Sequence, residues 1–168
     1  MTEALVRVIQ AEKTFRSGSV EVRALRGIDL VIEAGEFMAI VGPSGSGKTT
    51  LLNLIGALDV PTAGRVEVMG RDLAQLNRQQ RADLRLRELG FVFQAYNLVP
   101  VLTAIENVEF VLELQGMNRR QRQARAQQTL DELGLGELAE RRPGAMSGGQ
   151  QQRVAVARAV AARPRLVL

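Results

Sequence analysis

The chain has 168 residues, 46% hydrophobic and 24% charged, which is the size and balance of one globular domain with a real core and too little for two ordinary ones. No apolar run approaches the roughly 18 residues of a membrane span, and the first ten residues lack the basic-then-apolar order of a secretory signal. With no Cys and no His, disulfides, thiolate chemistry, imidazole bases and His-ligated metals are excluded from these residues, and the default compartment is cytoplasmic.

The net charge of +4 invites a nucleic-acid reading, but the basic residues are unevenly used. Lys13 and Lys48 are the only lysines among 22 basic residues, and many of the arginines fall in one Gln-rich stretch (Arg119, Arg120, Arg122, Arg125) that reads as a solvated helix face. An anionic membrane surface or an acidic partner would suit the same charge.

In chain order, short β-like runs come first: Leu5 to Ile9, Val20 to Leu25, Ile28 to Ile32 and Phe37 to Val41, punctuated by Gly18, Gly27 and Gly35. The last is almost wholly apolar, the pattern of a strand buried on both faces in a parallel sheet. A glycine-rich turn from Gly42 to Gly47 leads into a predicted helix from Thr49 to Leu58, stopped by the Asp59–Gly64 turn. A strand over Val66–Met69 and a helix over Arg78–Leu89 follow, then a brief strand at Phe91–Phe93. Helices are predicted at Thr103–Gln115, with Ile105, Val108 and Leu112 on one face, and at about Asn118–Leu133, whose stripe is Ala126, Leu130 and Leu133. These should form a small helical subdomain. Ser147 reads as the N-cap of a last helix to about Ala162, Pro164 breaks it, and Arg165–Leu168 opens a further buried strand.

Gly42-Pro43-Ser44-Gly45-Ser46-Gly47-Lys48-Thr49 fits G-x-x-x-x-G-K-[ST], with a strand predicted before it and a helix after it. Glycines let backbone N–H groups converge on phosphate oxygens, the helix N-terminus adds positive dipole, and Lys48 adds a compact charge that a planar guanidinium would not match. Thr49 would offer its hydroxyl to Mg²⁺, and Thr50 beside it is a further candidate for binding the nucleotide. A chance match in a chain of this composition has odds of about one in a thousand. A phosphate loop alone does not choose among ATPases, GTPases, kinases and recombinases, although an Asn-Lys-x-Asp guanine reader is absent.

Met146-Ser147-Gly148-Gly149-Gln150-Gln151-Gln152-Arg153 puts a serine and two glycines at another helix start: a hydroxyl, two unhindered amides and a dipole directed outward. Taken alone, Ser-Gly-Gly is only an N-cap after a flexible loop.

Together with the phosphate loop, Met146–Arg153 resembles the signature motif L-S-G-G-Q of ABC-transporter nucleotide-binding domains, with Met146 in place of the usual Leu. The resemblance runs from Leu5 to Leu168. It implies an α/β P-loop NTPase with an N-terminal antiparallel β subdomain, a parallel core sheet and a small α-helical subdomain, incomplete at the C-terminus. One partial ATP-binding domain would cover 1–168, its sheet core being 1–94 plus 148–168 and its helical subdomain about 95–147. Gln94 matches the glutamine that reaches Mg²⁺ and the attacking water, which with Lys48 makes the catalytic pair. Phe15 matches the aromatic that stacks on adenine; a core aromatic is the plainer reading of that residue. In such a family ATP lies between Gly42–Thr50 of one copy and Ser147, Gly148, Gly149 and Gln150 of another, so a homodimer or pseudo-dimer is implied. Tyr96–Leu102 falls where a transmembrane permease subunit is received, at the inner face of the cell membrane, and no nucleic acid is expected.

The stretches Ala24–Ile28, Leu51–Asp59 and Asn97–Val108 are similar to the lipoprotein-release and macrolide-export subfamily. The resemblance also implies a metal-binding Asp and catalytic Glu beyond Leu168 and a later histidine, so the 168 residues by themselves should bind ATP and hydrolyse it poorly. The alternatives are an ABC-type DNA-repair or chromosome ATPase, disfavoured by the lack of heptads and Cys between Gln94 and Ser147, and a remnant that binds nucleotide without hydrolysing it.

Overall fold

The computed structural model describes residues 4–18 and 20–168, which fall into two compact units that divide between Arg85 and Leu86.

The first unit is built on a four-stranded antiparallel sheet in the order β2-β1-β3-β4. Its long strands are β1 (Ala4–Ser17) and β2 (Val20–Glu33), with β3 (Ala63–Val68) and the two-residue β4 (Arg71–Asp72) completing it. The expected break at Gly27 is a bulge inside β2. Ala11 pairs with Ile28 and Glu12 with Arg26, leaving Gly27 extra at φ +75°, so the strand bends and continues. Leu5, Val6, Val8, Ala11, Val66 and Val68 are buried, as are Leu51, Leu54 and Ile55 of helix α1 (Lys48–Ile55). Helix α1 is shorter than its apolar spacing predicts. Gly56 caps it and Ala57, at φ +53°, turns the chain away, with the amides of Leu58 and Asp59 both donating to Asn53 O.

Phe37–Val41 departs furthest from expectation. The run from Glu36 to Gly47 has no regular secondary structure, and Phe37 and Val41 are 97% and 90% exposed. An apolar strand is buried on both faces only when hydrogen-bonded neighbours flank it, and none pairs with this run among the described residues.

Helix α2 (Arg78–Glu88) spans the division and leads into the second unit. There β5 (Leu89–Gly90) pairs in parallel with β6 (Leu166–Val167), and the ladder reaches on through Val92 N–H to Leu168 O at 2.8 Å. The predicted strand at Phe91–Phe93 is therefore paired slightly earlier, while the two Phe rings stack with centroids 5.7 Å apart. Gly90 is required by packing: a β-carbon there would stand 2.5 Å from Ala159 O.

Helices α3 (Ala104–Leu114), α4 (Arg119–Glu132) and α5 (Gly148–Ala161) pack together at the positions their spacing predicts. Their shared core includes Ile105, Val108, Leu112, Ala126, Leu130 and Val154. The Arg-rich face of α4 is not simply solvated. Arg122 lies 3.2 Å from Glu109 and 3.5 Å from Glu113 with only 19% of its side chain exposed, and Arg125 donates to Ala161 O at 3.0 Å. Among the described residues, no helix is long and apolar enough to cross a membrane.

Candidate functional site

The glycine-rich loop reaches α1 through Gly47, the N-cap residue, at φ +91°. A β-carbon there would stand 2.6 Å from Ala24 O and 3.0 Å from Leu25 Cδ2, so both the left-handed backbone and the close approach to β2 demand glycine. No side chain caps α1, which leaves the positive end of the helix and its first-turn amides to an acceptor from outside. Ser46 N–H donates to Pro43 O at 3.3 Å, closing the loop on itself. Lys48 folds back over it, its ammonium donating to Gly42 O at 2.8 Å and Pro43 O at 2.7 Å. Thr49 is exposed beside it. An uncapped helix N-terminus and an ammonium thus belong to one loop, a combination whose chemistry suits a polyanion.

Phe15 is 45% exposed, which takes it out of the core, and it pairs across the hairpin with Val22. The Lys13 ammonium stands 5.3 Å from its ring centroid and is held by Asp59 Oδ1 at 2.6 Å and Val60 O at 2.8 Å. Both lysines of the chain are therefore engaged in this unit, Lys48 by two backbone carbonyls and Lys13 by one carbonyl and a carboxylate. The composition singled out Lys48; nothing in the sequence pointed to the Lys13–Asp59 pair, 46 residues apart.

In the second unit Gln94 is exposed on a turn closed by Tyr96 N–H to Phe93 O at 2.9 Å. Beyond it, Asn107 is 1% exposed and organises the 99–103 loop: its Oδ1 accepts from Val99 N–H, and its Nδ2 donates to Val99 O, Leu102 O and Thr103 O. Such a buried amide is stable only because all of its groups are used. Its one signal in the sequence is a polar residue at a core position of an amphipathic helix.

Ser147 caps α5 in a reciprocal box. Its Oγ accepts from Gln150 N–H at 3.3 Å and Gln150 Oε1 accepts from Ser147 N–H at 2.9 Å. The hydroxyl oxygen expected to face outward is thus turned onto its own helix. What remains for a ligand is the Ser147 hydroxyl proton, the Gln150 Nε2 group and the amides of Gly148 and Gly149; a β-carbon on Gly149 would meet nothing within 4 Å. Phosphate loop and Phe15 belong to one compact unit, Gln94 and the Ser147 end to the other.

Mg²⁺ is ordinarily held by one or two protein oxygens together with substrate phosphates, and Thr49 Oγ1 and Gln94 Oε1 are exposed oxygens of that kind. Each of the two, in its own unit, has the hard oxygen such an ion takes.

The family profile for "ABC transporter" matches residues 25–168. The chain belongs to this family. It is 49% identical over 164 residues to a macrolide export ATP-binding/permease protein MacB from Azoarcus sp., covering 98% of this chain and 25% of that one. It is 42% identical over 168 residues to lipoprotein-releasing system ATP-binding protein LolD 2 of Caulobacter vibrioides, covering 100% and 74%. The chain thus spans about a quarter of the macrolide-export relatives and about three quarters of the lipoprotein-releasing one. Among solved structures, the dimeric ATP-binding cassette MJ0796 in a post-hydrolysis state bound to ADP and Pi superimposes with a TM-score of 0.90 at 42% identity, over 96% of this chain and 72% of that one. The ABC fold, an antiparallel β unit followed by parallel pairing and a helical bundle, is the architecture of this chain.

Proposed function

We propose that this ABC chain is the ATP-binding part of a membrane transporter of the macrolide-export and lipoprotein-release group, working at the inner face of the cell membrane with a permease subunit. The observation that carries the reading is the uncapped, glycine-led N-terminus of α1 with Lys48 folded over its loop. Gly42–Thr50 take the triphosphate: Pro43, Ser44, Gly45 and Ser46 shape the loop, Lys48 exchanges its two carbonyls for phosphate oxygens, and Phe15 offers its open ring to the adenine.

Thr49 and Gln94 are each proposed as an oxygen ligand for Mg²⁺, an ion that would supply charge neutralisation at the β- and γ-phosphates. Gln94 also orients the attacking water. A second nucleotide-binding domain, identical or homologous, meets the same ATP with the Ser147 hydroxyl, the Gly148 and Gly149 amides and Gln150, so that ATP draws the pair together and hydrolysis releases it. Tyr96–Leu102 receives the permease, and the functional division is 1–94 plus 148–168 against about 95–147.

Equilibrium titration with a fluorescent ATP analogue tests the core of this. Saturable binding that Mg²⁺ strengthens, and that Lys48→Ala weakens at least about tenfold without shifting the thermal melt, is expected. Failure of the parent chain to bind at millimolar ATP overturns it.

A further inference from the structure

Arg158 lies on α5 within the run Val154-Ala155-Val156-Ala157-Arg158-Ala159-Val160-Ala161, a lone cation among small apolar residues. Its guanidinium reaches out of that surround to two carbonyls: Nη1 donates to Asn97 O at 2.6 Å and Nη2 to Tyr96 O at 2.7 Å. Burial disfavours its charged form and lowers its pKa, yet a guanidinium stays charged, so the two short bonds must compensate for the lost water.

The two acceptors are not ordinary backbone. Tyr96 and Asn97 are consecutive non-glycine residues at φ +59° and +49°, a region in which a tyrosine is seldom found. Tyr96 N–H closes the turn over Gln94 and Ala95 by donating to Phe93 O, and Asn97 N–H donates to Ala95 O at 2.6 Å, a tight three-residue turn. Backbone held in this way persists only where its surroundings over-determine it. On the far side the ring of Tyr96 extends to α5: its hydroxyl lies 3.7 Å from where a β-carbon on Gly148 would stand. The Gln94 turn is therefore held to α5 through the two bonds of Arg158, with the Tyr96 hydroxyl beside the start of that helix.

We infer that Arg158 is the positioning residue of the Gln94 turn, its two-pronged guanidinium fixing Tyr96 and Asn97 so that Gln94 is presented in one orientation. The inference rests on the reading of Gln94 as a metal contact. It requires two parallel donors, which an ammonium cannot supply, so lysine is an incomplete substitute.

Tyr96 is the chain's single tyrosine and there is no tryptophan, so intrinsic tyrosine emission reports on this turn alone. Acrylamide quenching of that emission, and ATP affinity with and without Mg²⁺, are measured for the parent 168-residue chain, Arg158→Met, Arg158→Lys, Gln94→Ala and the Gln94→Ala/Arg158→Met pair. Arg158→Met should raise the quenching constant about twofold or more and remove most of the Mg²⁺-dependent gain in ATP affinity, leaving the Mg²⁺-free affinity unchanged. Arg158→Lys should fall between it and the parent, which keeps the question open to test if the Met variant does not fold. The double variant should lose no more of the Mg²⁺ gain than Gln94→Ala alone, because both act through one group. Unchanged quenching, an intact Mg²⁺ gain in Arg158→Met, or additive losses in the pair would each overturn the inference. If Gln94→Ala itself leaves the Mg²⁺ gain unchanged, the metal role of Gln94 fails and the inference falls with it, a result distinct from failure of the Arg158 clamp.

Discussion

Two helix N-termini in this chain are made from similar small residues and finished in opposite ways. Helix α1 begins after Gly47 with no capping side chain and no acidic residue in its first turn. Helix α5 begins after Ser147 with a full reciprocal cap. Helices α3 and α4 also carry side-chain caps, from Thr103 and Asn118. An uncapped N-terminus forgoes about 1 kcal/mol of local stabilisation and leaves several amides unmet, so it is a poor structural choice and a good anion site. The α5 end is stable as it stands and offers a ligand only what its cap does not use. This difference accords with one end gripping nucleotide by itself and the other adding to a nucleotide already held.

The largest effect should follow Gly47→Ala, which forces a β-carbon against Ala24 O in a left-handed backbone. Strain of this kind costs roughly 1–3 kcal/mol, and because it displaces the loop, ATP affinity should fall by more than the Lys48→Ala loss. Calorimetric titration and a thermal melt check both parts; an unaltered affinity would show that the geometry of α1 is not what holds phosphate. Next in size is Ser147→Ala. Losing the cap should lower stability by about 1 kcal/mol in urea, while ATP affinity measured on monomer stays within about twofold and ATP-induced pairing is weakened. Asn118→Ala on α4 supplies the control: a similar loss of stability, of about 1 kcal/mol, with neither nucleotide readout moved. Should Ser147→Ala behave like Asn118→Ala in every assay, the α5 end is only a cap.

The sequence made some of these features legible and hid others, for physical reasons. Helices α3, α4 and α5 could be read to within about a residue because periodicity and caps are local signals, and Asn118 and Ser147 stand where capping chemistry puts them. Gly42–Thr49 was legible because phosphate-loop chemistry constrains eight consecutive positions. Phe37–Val41 has the pattern of a strand and is none in the structure, because an apolar run reports what a strand needs from its neighbours and not whether they pair with it. The sequence divides the long β2 at Gly27 because one glycine marks a bulge or a turn equally well. Arg158 and Lys13 were invisible for a different reason: their partners lie 61 and 46 residues away, at carbonyls and a carboxylate that no local pattern links to them.

The smallest predicted effect concerns acid. Glu106 closes the cap of α3, its carboxylate accepting from Thr103 N–H at 2.7 Å while Thr103 Oγ1 accepts from Glu106 N–H at 3.3 Å. The Thr103 backbone N–H foremost, then the Thr103 side chain, with a lesser pull from Arg142, holds the Glu106 carboxyl below its ordinary value. A carboxyl whose folded pKa is depressed adds stability that is complete above its unfolded value and is lost as pH falls through the folded one. The α3 cap should therefore loosen below the ordinary carboxylate range, whereas α1, with no acidic residue in its first turn, has no such group to titrate. Glu106→Gln keeps an acceptor for Thr103 N–H and removes the titration. Urea midpoints should show the parent more stable than Glu106→Gln at neutral pH, by the charged part of one exposed hydrogen bond, with the gap closing on acidification. A gap that stays constant with pH would mean that the carboxylate's charge adds nothing to the cap. In that case the contrast between α1 and the capped helices rests on hydrogen bonds alone.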